Sequence, residues 1–367
     1  MIATNSDAMK RRNKRLILDL ILNGEVSRVD LSNKTNLTKA AVTIIVEELI
    51  NEGLVYEAEL LKTRSGRYPR RLKIKEGSIK AIGINITRKD VQIGLCDILG
   101  NIYFKESFPI LSKNETIDKI ISIIKNKEKE NKDLFLNTIG IGICSPGPVD
   151  TINTTILNPP NFDDWHYENI GLRLKSALNY KVFLENISSG VTLSEKYFSK
   201  KEDTNNFMSL IVNEGIGASF ILNSTLFKNP TELGHTSICY NGPLCRCGSY
   251  GCAENYASIP AILNGTGYKN WNEVIDANDT SVIDKEAMYL STLINNALNI
   301  FSLDKVVLEG DINTSDDILI DKIKKNLENK TLYKKSIEIE KGSKISGVLC
   351  GAVTVFDNFL KGTDFSK

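Results

Sequence analysis

The sequence lacks any apolar run that approaches the length of about 20 residues needed to cross a membrane. Its first segment, MIATNSDAMKRRNKR, also lacks the apolar core of an export signal. Four of the seven cysteines, Cys96, Cys144, Cys239 and Cys350, are scattered along the chain without disulfide-like spacing. These absences argue against membrane-spanning and disulfide-stabilised secreted proteins, so we expect a cytoplasmic protein with reduced thiols and no membrane partner.

The chain has almost no net charge, +1 over 367 residues, so the total indicates no particular partner. The charges are nevertheless unevenly distributed. Residues 1–75 hold 15 Lys and Arg against 9 Asp and Glu, whereas the remainder holds 31 against 36. A basic head on an acidic body indicates a nucleic-acid-binding module joined to something else, with chance variation of surface charge as the alternative.

The basic head has the pattern of three helices followed by a small hairpin. Apolar residues in 9–22 predict a first helix, Ser27 is a candidate N-cap for a second, and Thr38 caps a third whose apolar positions follow helical spacing. Two strand-like segments, 54–58 and 68–74, flank a turn at 64–67. We therefore predict a winged helix-turn-helix domain over residues 1–76.

A winged helix-turn-helix inserts the start of its third helix into the major groove, while the wing can reach phosphates or the minor groove. We expect operator DNA as the partner of this head, contacted by Arg28, Thr38, Lys39, Ala40, Thr43, Arg64 and Arg67. The alternative is a small helical protein-interaction domain with a solvated basic face.

From Ile79 onward strands alternate with helices, which predicts an α/β body with layered lobes and a ligand cleft over residues 77–367. The strands are predicted at 81–86, 91–96, 138–144, 181–185, 208–213, 219–223 and 305–308, and the helices at 117–125, 188–199, 283–302 and 346–361.

The window ELGHTSICYNGPLCRCGSYGCAE, at 232–254, contains one of only two histidines and three cysteines within eight positions. One His and three Cys are the four ligands that tetrahedral zinc prefers, here His235, Cys245, Cys247 and Cys252. Four protein ligands leave no open coordination position, so the predicted zinc is structural. A cysteine-rich loop without a metal is the alternative.

The chain resembles the ROK family (repressor, open reading frame, kinase), and within it the sugar-responsive, xylose-repressor-like regulators. The resemblance covers nearly the whole chain and is carried by RVDLSNKTNLTKAAV, SGRYP, CSPGPVD, NPPNFDDW, EN with Glu195 downstream, EGIGAS, ELGH and CRCGSYGCAE. It implies an actin-like, ribonuclease-H-like pair of lobes, a structural zinc, and a homodimer or dimer of dimers.

The resemblance also implies a sugar site. The residues of this chain that match the family's sugar contacts are Asn161, Asn186, Glu232, His235 and Glu254. Buried carboxylates and amides suit sugars because they pair with several hydroxyls at once. His235 would bind zinc through one ring nitrogen and offer the other to the sugar.

The motifs that kinases of this family use for phosphoryl transfer are altered here. The kinases have a proton-accepting Asp where this chain has Ile187, and Asp-x-Gly-Gly-Thr where it has residues 85–89. Where the kinases have a second glycine loop, Gly-Thr-Gly-x-Gly, this chain reads Asn213-Glu214-Gly215-Ile216-Gly217, and Glu214 would repel a triphosphate. At the kinases' adenosine site, segment 307–310 of this chain keeps one of two glycines. Arg88 and Lys89 could attract an anion or be ordinary strand-end residues.

We therefore predict a sugar-responsive DNA-binding repressor that is not an enzyme. In this prediction sugar closes the lobes and alters the dimer, so that the two recognition helices lose the spacing of their half-sites. The alternatives are a bifunctional, ATP-dependent sugar kinase of the hexokinase type that also binds DNA, and a protein-interaction scaffold. The particular sugar or sugar phosphate stays open.

Overall fold

The computed structural model describes residues 6–24, 26–58, 70–199, 205–228, 231–328, 330 and 337–362. Contacts divide the chain into two compact units, 1–190 with 346–367 and 191–345. The predicted boundary at residues 76 and 77 remains a prediction, because the head groups with the first unit in this division.

The head contains the three predicted helices and both wing strands. Its elements are α1 (Ser6–Leu22), β1 (Val26–Ser27), α2 (Arg28–Thr35), α3 (Lys39–Asn51), β2 (Val55–Ala58) and β3 (Arg71–Ile74). The pattern missed β1, a two-residue strand that pairs with β3 and closes a three-stranded sheet. The predicted turn at 64–67, with Arg64 and Arg67, lies outside the described residues.

Side-chain caps begin both helices of the helix-turn-helix. Ser27 and Asp30 form a reciprocal capping box at α2, in which each side chain accepts from the other residue's backbone N–H. The Thr38 hydroxyl accepts from the Ala41 N–H at the start of α3. Because both caps are local, the sequence alone specifies where these helices begin.

The rest of the first unit is built on a five-stranded sheet. Its elements are β4 (Lys80–Ile86), β5 (Asp90–Asp97), β6 (Ile102–Pro109), α4 (Lys113–Glu130), β7 (Thr138–Ser145), β8 (Val149–Asp150), β9 (Thr155–Ile156), α5 (Ile170–Leu178), β10 (Val182–Asn186) and the start of α6 (Ile187–Phe198). The sheet order is β10-β7-β4-β5-β6, in which β4 to β6 form an antiparallel meander and β7 and β10 run parallel to β4.

The second unit repeats this sheet pattern. Its elements are β11 (Phe207–Val212), β12 (Ile216–Leu222), β13 (Thr225–Leu226), α7 (Glu254–Ala257), α8 (Ile259–Leu263), α9 (Trp271–Asp276), α10 (Thr280–Ile300), β14 (Lys305–Gly310), α11 (Ile318–Leu327) and β15 (Glu338–Lys341). Strands β11 to β13 are antiparallel, and β14 and β15 run parallel to β11. Two lobes with one sheet pattern confirm the predicted two-lobed α/β architecture.

The last helix, α12 (Gly347–Lys361), returns to the first unit and packs on β4, β5, β7 and β10. Its backbone approaches β4 closely, because a Cβ at Gly83 would lie 1.8 Å from the Val348 carbonyl oxygen. Near its other end, the Phe359 ring lies 5.8 Å from the Arg15 guanidinium of α1. One buried helix therefore contacts both the sheet and the head. None of the described helices is long and apolar enough to cross a membrane.

Candidate functional site

The four predicted metal ligands lie together in the second unit. Their ligand atoms are all within 4.8 Å of one another. Cys245 Sγ lies 3.5 Å from His235 Nδ1, and Cys247 Sγ lies 3.6 Å from Cys252 Sγ. A tetrahedral zinc with bonds of about 2.3 Å to sulfur separates its sulfurs by about 3.8 Å. The donor set and its spacing therefore fit a single four-coordinate metal ion.

The cysteines of this cluster have different acidities. Burial raises the pKa of the Cys252 thiol to about 12, whereas a hydrogen bond from the Ser249 backbone lowers the pKa of the Cys247 thiol. Metals bind the thiolate and displace its proton. Cys247, the exposed member of the set, gives up its proton more readily than the buried Cys252.

The loop that carries the cysteines is folded by its own backbone hydrogen bonds. The Cys245 N–H donates to the Ser249 carbonyl over 2.7 Å, and the Gly251 N–H donates to the Pro243 carbonyl over 2.9 Å. Gly251 has φ +65°, and a Cβ there would lie 1.6 Å from the Cys239 carbonyl oxygen. Only glycine fits this turn, which explains its place before the last ligand.

Glu254, a predicted sugar contact, is held by two hydrogen bonds at the start of α7. Its Oε2 accepts the Ile216 backbone N–H over 2.9 Å, and its Oε1 accepts from Arg246 Nη2 over 3.0 Å. Arg246 stands between two of the metal ligands, a position whose significance the sequence analysis missed. A Cβ at Gly215 would lie 2.6 Å from Glu254 Oε2, so the backbone there leaves room only for the carboxylate.

The Arg246–Glu254 pair forms part of the wall of a pocket of about 370 Å³ within the second unit. The lining residues are Glu214, Arg246, Glu254, Asn255, Ser258, Pro260, Ala261 and Asn264. Glu232 and His235 lie at the 3₁₀ turn Leu233–His235, where the His235 N–H donates to the Glu232 carbonyl over 3.0 Å. The structure thus brings the metal cluster and Glu254 together through Arg246.

The predicted sugar contact Asn161 belongs to the first unit, in an exposed loop with φ +56°. The preceding carbonyl, of Pro160, accepts two hydrogen bonds from Arg88, from Nε over 3.1 Å and from Nη2 over 2.9 Å. Arg88 lies in the turn between β4 and β5. In this chain its guanidinium secures the loop that carries Asn161.

Asn186, the second predicted contact in the first unit, ends β10. Its Oδ1 accepts the Ser189 N–H over 2.7 Å and so caps the first turn of α6. The side-chain amide N–H groups are the donors that this cap leaves for another partner. Ile187, the next residue, is aliphatic and has no group that can accept a proton.

The loops after β11 and β14, which the family resemblance matches to the kinases' nucleotide segments, are hydrogen-bonded to each other within the second unit. Asn213 Oδ1 accepts the Asp311 N–H over 2.6 Å, linking the loop after β11 to the loop after β14. The buried Glu309 carboxylate occupies the space beside Gly342, where an added Cβ would lie 1.9 Å from it. Glu195, also buried, accepts from the backbone and hydroxyl of Ser343.

The predicted DNA contacts in the described part of the head differ in exposure. Thr38, Lys39 and Ala40 are exposed at the start of α3, and Thr43 is half-buried one turn later. Arg28 is half-buried, and its guanidinium forms ion pairs with Glu47 at 3.3 Å and with Glu57 at 3.0 Å.

The chain is a two-lobed α/β protein with a DNA-binding-type head. This class is defined by two five-stranded sheets of the same pattern, a His–Cys₃ cluster and a helix-turn-helix head. Residues 81–353 match the family model described as "ROK family", and the chain belongs to this family. It is 29% identical to the xylose repressor of Bacillus spizizenii, over 90% of this chain and 89% of that protein.

The DNA-binding transcriptional dual regulator NagC of Escherichia coli K12 is 26% identical, over 89% of this chain and 87% of NagC. Among solved structures, a ROK family transcriptional regulator described as a homolog of the E. coli MLC protein superposes with a TM-score of 0.82. That match has 23% identity and covers 97% of this chain and 98% of the other, so it supports the fold of head and body together.

Proposed function

We propose that this protein is a sugar-responsive transcriptional repressor. The observation that carries the proposal is a helix-turn-helix with side-chain caps, in which the start of α3 is exposed. Helix α1 of this head packs against α12 of the ROK domain. Relatives that match about nine-tenths of the chain are named xylose repressor and NagC. The exposed Thr38, Lys39 and Ala40, with Thr43, are the proposed base and phosphate contacts, and Arg28, Arg64 and Arg67 complete the proposed DNA surface.

The proposed sugar contacts are Asn161 and Asn186 of the first unit and Glu232, His235 and Glu254 of the second. Each offers amide, imidazole or carboxylate groups suited to hydroxyls. His235 uses Nδ1 toward the cysteines, which leaves Nε2 for a ligand. Zinc is the proposed metal, and with four protein ligands its role is structural: it holds His235 and Arg246 in place.

We propose no phosphotransfer activity. A kinase needs a proton acceptor at the position of Ile187 and open glycine loops for the nucleotide phosphates. Here the side chain at 187 is aliphatic, and the loops after β11 and β14 are joined by the Asn213–Asp311 hydrogen bond. An ADP-release assay over common hexoses and pentoses tests this point, and sugar-dependent turnover that is lost in Glu232→Ala would contradict it.

The proposed response is a population shift in a homodimer. Sugar stabilises a state in which the two recognition helices no longer match the spacing of the DNA half-sites. Helix α12 is the proposed link, because it contacts the sheet of the first unit at Gly83 and the head at Arg15.

The deciding experiment measures operator affinity with and without sugar. A duplex selected from a random pool by the full-length protein is titrated by fluorescence anisotropy at fixed salt, then challenged with free and phosphorylated sugars. We expect one sugar to weaken binding at least about tenfold, a coupling in the usual range for allosteric proteins. Lys39→Ala should abolish sequence-specific binding, whereas Glu232→Ala should bind DNA normally and ignore the sugar. If no sugar changes the affinity, the proposal is wrong.

A further inference from the structure

Helix α3 presents an exposed apolar side chain that its amphipathic pattern does not require. Ile44 is 58% exposed, whereas the next residue, Ile45, is 5% exposed and belongs to the core of the head. Ala40, one turn earlier than Ile44, is also exposed. Residues four apart lie on the same face of a helix, so Ala40 and Ile44 form one apolar strip near the start of α3.

The hydroxyl groups near this strip are engaged with the backbone of the helix. The Thr43 hydroxyl donates to the Lys39 carbonyl over 2.8 Å, and the Thr38 hydroxyl accepts from the Ala41 N–H over 3.2 Å. The single proton of the Thr43 hydroxyl is therefore used within the helix, which leaves that oxygen only as an acceptor. The strip itself has no polar side-chain atom, so it can recognise a partner only by apolar contact.

The carboxylates in the second half of α3 are paired with cations of the neighbouring helices. Glu47 lies 3.3 Å from the Arg28 guanidinium of α2, and Glu48 lies 2.6 Å from the Lys10 ammonium of α1. Without these cations, two carboxylates on the recognition helix would repel DNA phosphates. The ion pairs reduce that repulsion, so the strip can approach DNA although Lys39 is the one cation in the sequence of α3.

We propose, on the basis of the proposed function, that Ala40 and Ile44 read the C5-methyl groups of thymines in the operator. Among the groups that unmodified base pairs display in the major groove, the thymine methyl is the apolar one. Four residues of an α-helix rise about 6 Å, which corresponds to between one and two base-pair steps of about 3.4 Å. Ile44 is thus a specificity-determining residue, and each half-site carries two thymines one or two steps apart, on either strand.

The test removes thymine methyl groups without changing any hydrogen-bonding group of the DNA. The duplex that the full-length protein selects from a random pool is remade with each thymine of one half-site replaced in turn by deoxyuridine. Binding is measured by fluorescence anisotropy at fixed salt. At two thymine positions we expect the affinity to fall about fourfold, the effect of losing one buried methyl group, and at the remaining positions we expect no change.

The variant Ile44→Ala identifies which methyl group the isoleucine contacts. It should bind the unmodified duplex about tenfold more weakly, and at one of the two thymine positions deoxyuridine should then cause no further loss. Ile152→Ala, at an isoleucine of the first unit that is 90% exposed, is the matched control and should leave every affinity unchanged. Because the Ile44 side chain is exposed and alanine is the better helix former, the Tm of Ile44→Ala should not fall.

The inference is wrong if no deoxyuridine substitution weakens binding, or if Ile44→Ala stays as sensitive to each methyl group as the unaltered protein. A changed sedimentation coefficient of DNA-free Ile44→Ala would also contradict it, because the strip would then be a contact between copies of the chain. Sugar-induced release is recorded on the same duplexes. Release without any methyl effect overturns the inference and leaves the repressor function standing, whereas failure to select any preferred duplex would contradict both.

Discussion

Replacing Cys247 by Ser is the most direct test of the metal loop. Cys247 Sγ lies 3.6 Å from Cys252 Sγ, and the serine hydroxyl that replaces it stays protonated at neutral pH and is a poorer zinc ligand. The substitution removes one of four ligands while changing only one exposed side chain. Loss of the metal should release His235 and Arg246 together, because both belong to the same loop.

The magnitude follows from mass action. An ion present at a thousandfold excess over its Kd stabilises the folded state by about 4 kcal/mol. If losing one ligand raises the Kd about a hundredfold, about 2.7 kcal/mol of that stabilisation disappears. In a unit of roughly 155 residues this lowers Tm by about 5–10 °C. The sugar concentration for half-maximal operator release should rise about tenfold, with sugar-free DNA binding unchanged.

The assay combines zinc content, thermal unfolding and operator release on the same preparations. Cys239→Ser is the matched control, because Cys239 lies in the same loop but outside the ligand cluster and hydrogen-bonds Asn241. We expect the control to retain the metal and the sugar response. Zinc loss with an unchanged sugar response in Cys247→Ser would refute the reasoning that the metal positions the sugar contacts. Full zinc occupancy in this variant would refute Cys247 as a metal ligand.

Two further predictions concern other parts of the chain. Arg88→Ala removes both hydrogen bonds to the Pro160 carbonyl and should weaken sugar binding about tenfold, measured by calorimetry. In an Asn161→Ala background, Arg88→Ala should cause no additional loss of sugar affinity. Purely additive losses would contradict the coupling between Arg88 and Asn161. Glu286 is fully buried, and neither of its carboxylate oxygens has a hydrogen-bond partner among the residues that the structure describes. Burial raises the pKa of Glu286 well above the ordinary value. The folded state therefore favours the protonated acid, and stability is lost as pH rises above the unfolded-state pKa toward the folded one. Glu286→Met should stabilise the protein by about 1–3 kcal/mol at pH 7 and by less at pH 5, measured by urea unfolding; a loss of stability at both pH values would contradict this.

The helices of the head could be predicted because their signals are local. Ser27 and Thr38 cap helices that begin at the next residue, and apolar spacing identifies the buried face of α3. The metal cluster could also be predicted, because three of its four ligands fall within eight residues and one loop can bring them together. The short strand β1 gave no such signal, because two residues contain no periodicity.

Tertiary structure decided the features that join distant segments. Three of these features connect residues far apart in the chain. They are the parallel pairing of β7 with β4 and of β14 with β11, the close approach of α12 to Gly83, and the hydrogen bonds from Arg88 to the Pro160 carbonyl. The same holds for Glu254, whose acceptor sites are partly taken by Ile216, 38 residues earlier. Residue types and spacing indicate which groups can bind a metal or a hydroxyl. Which lone pairs and charges are already engaged depends on packing between segments, as the hydrogen bonds of Ile216 and Arg246 to Glu254 show.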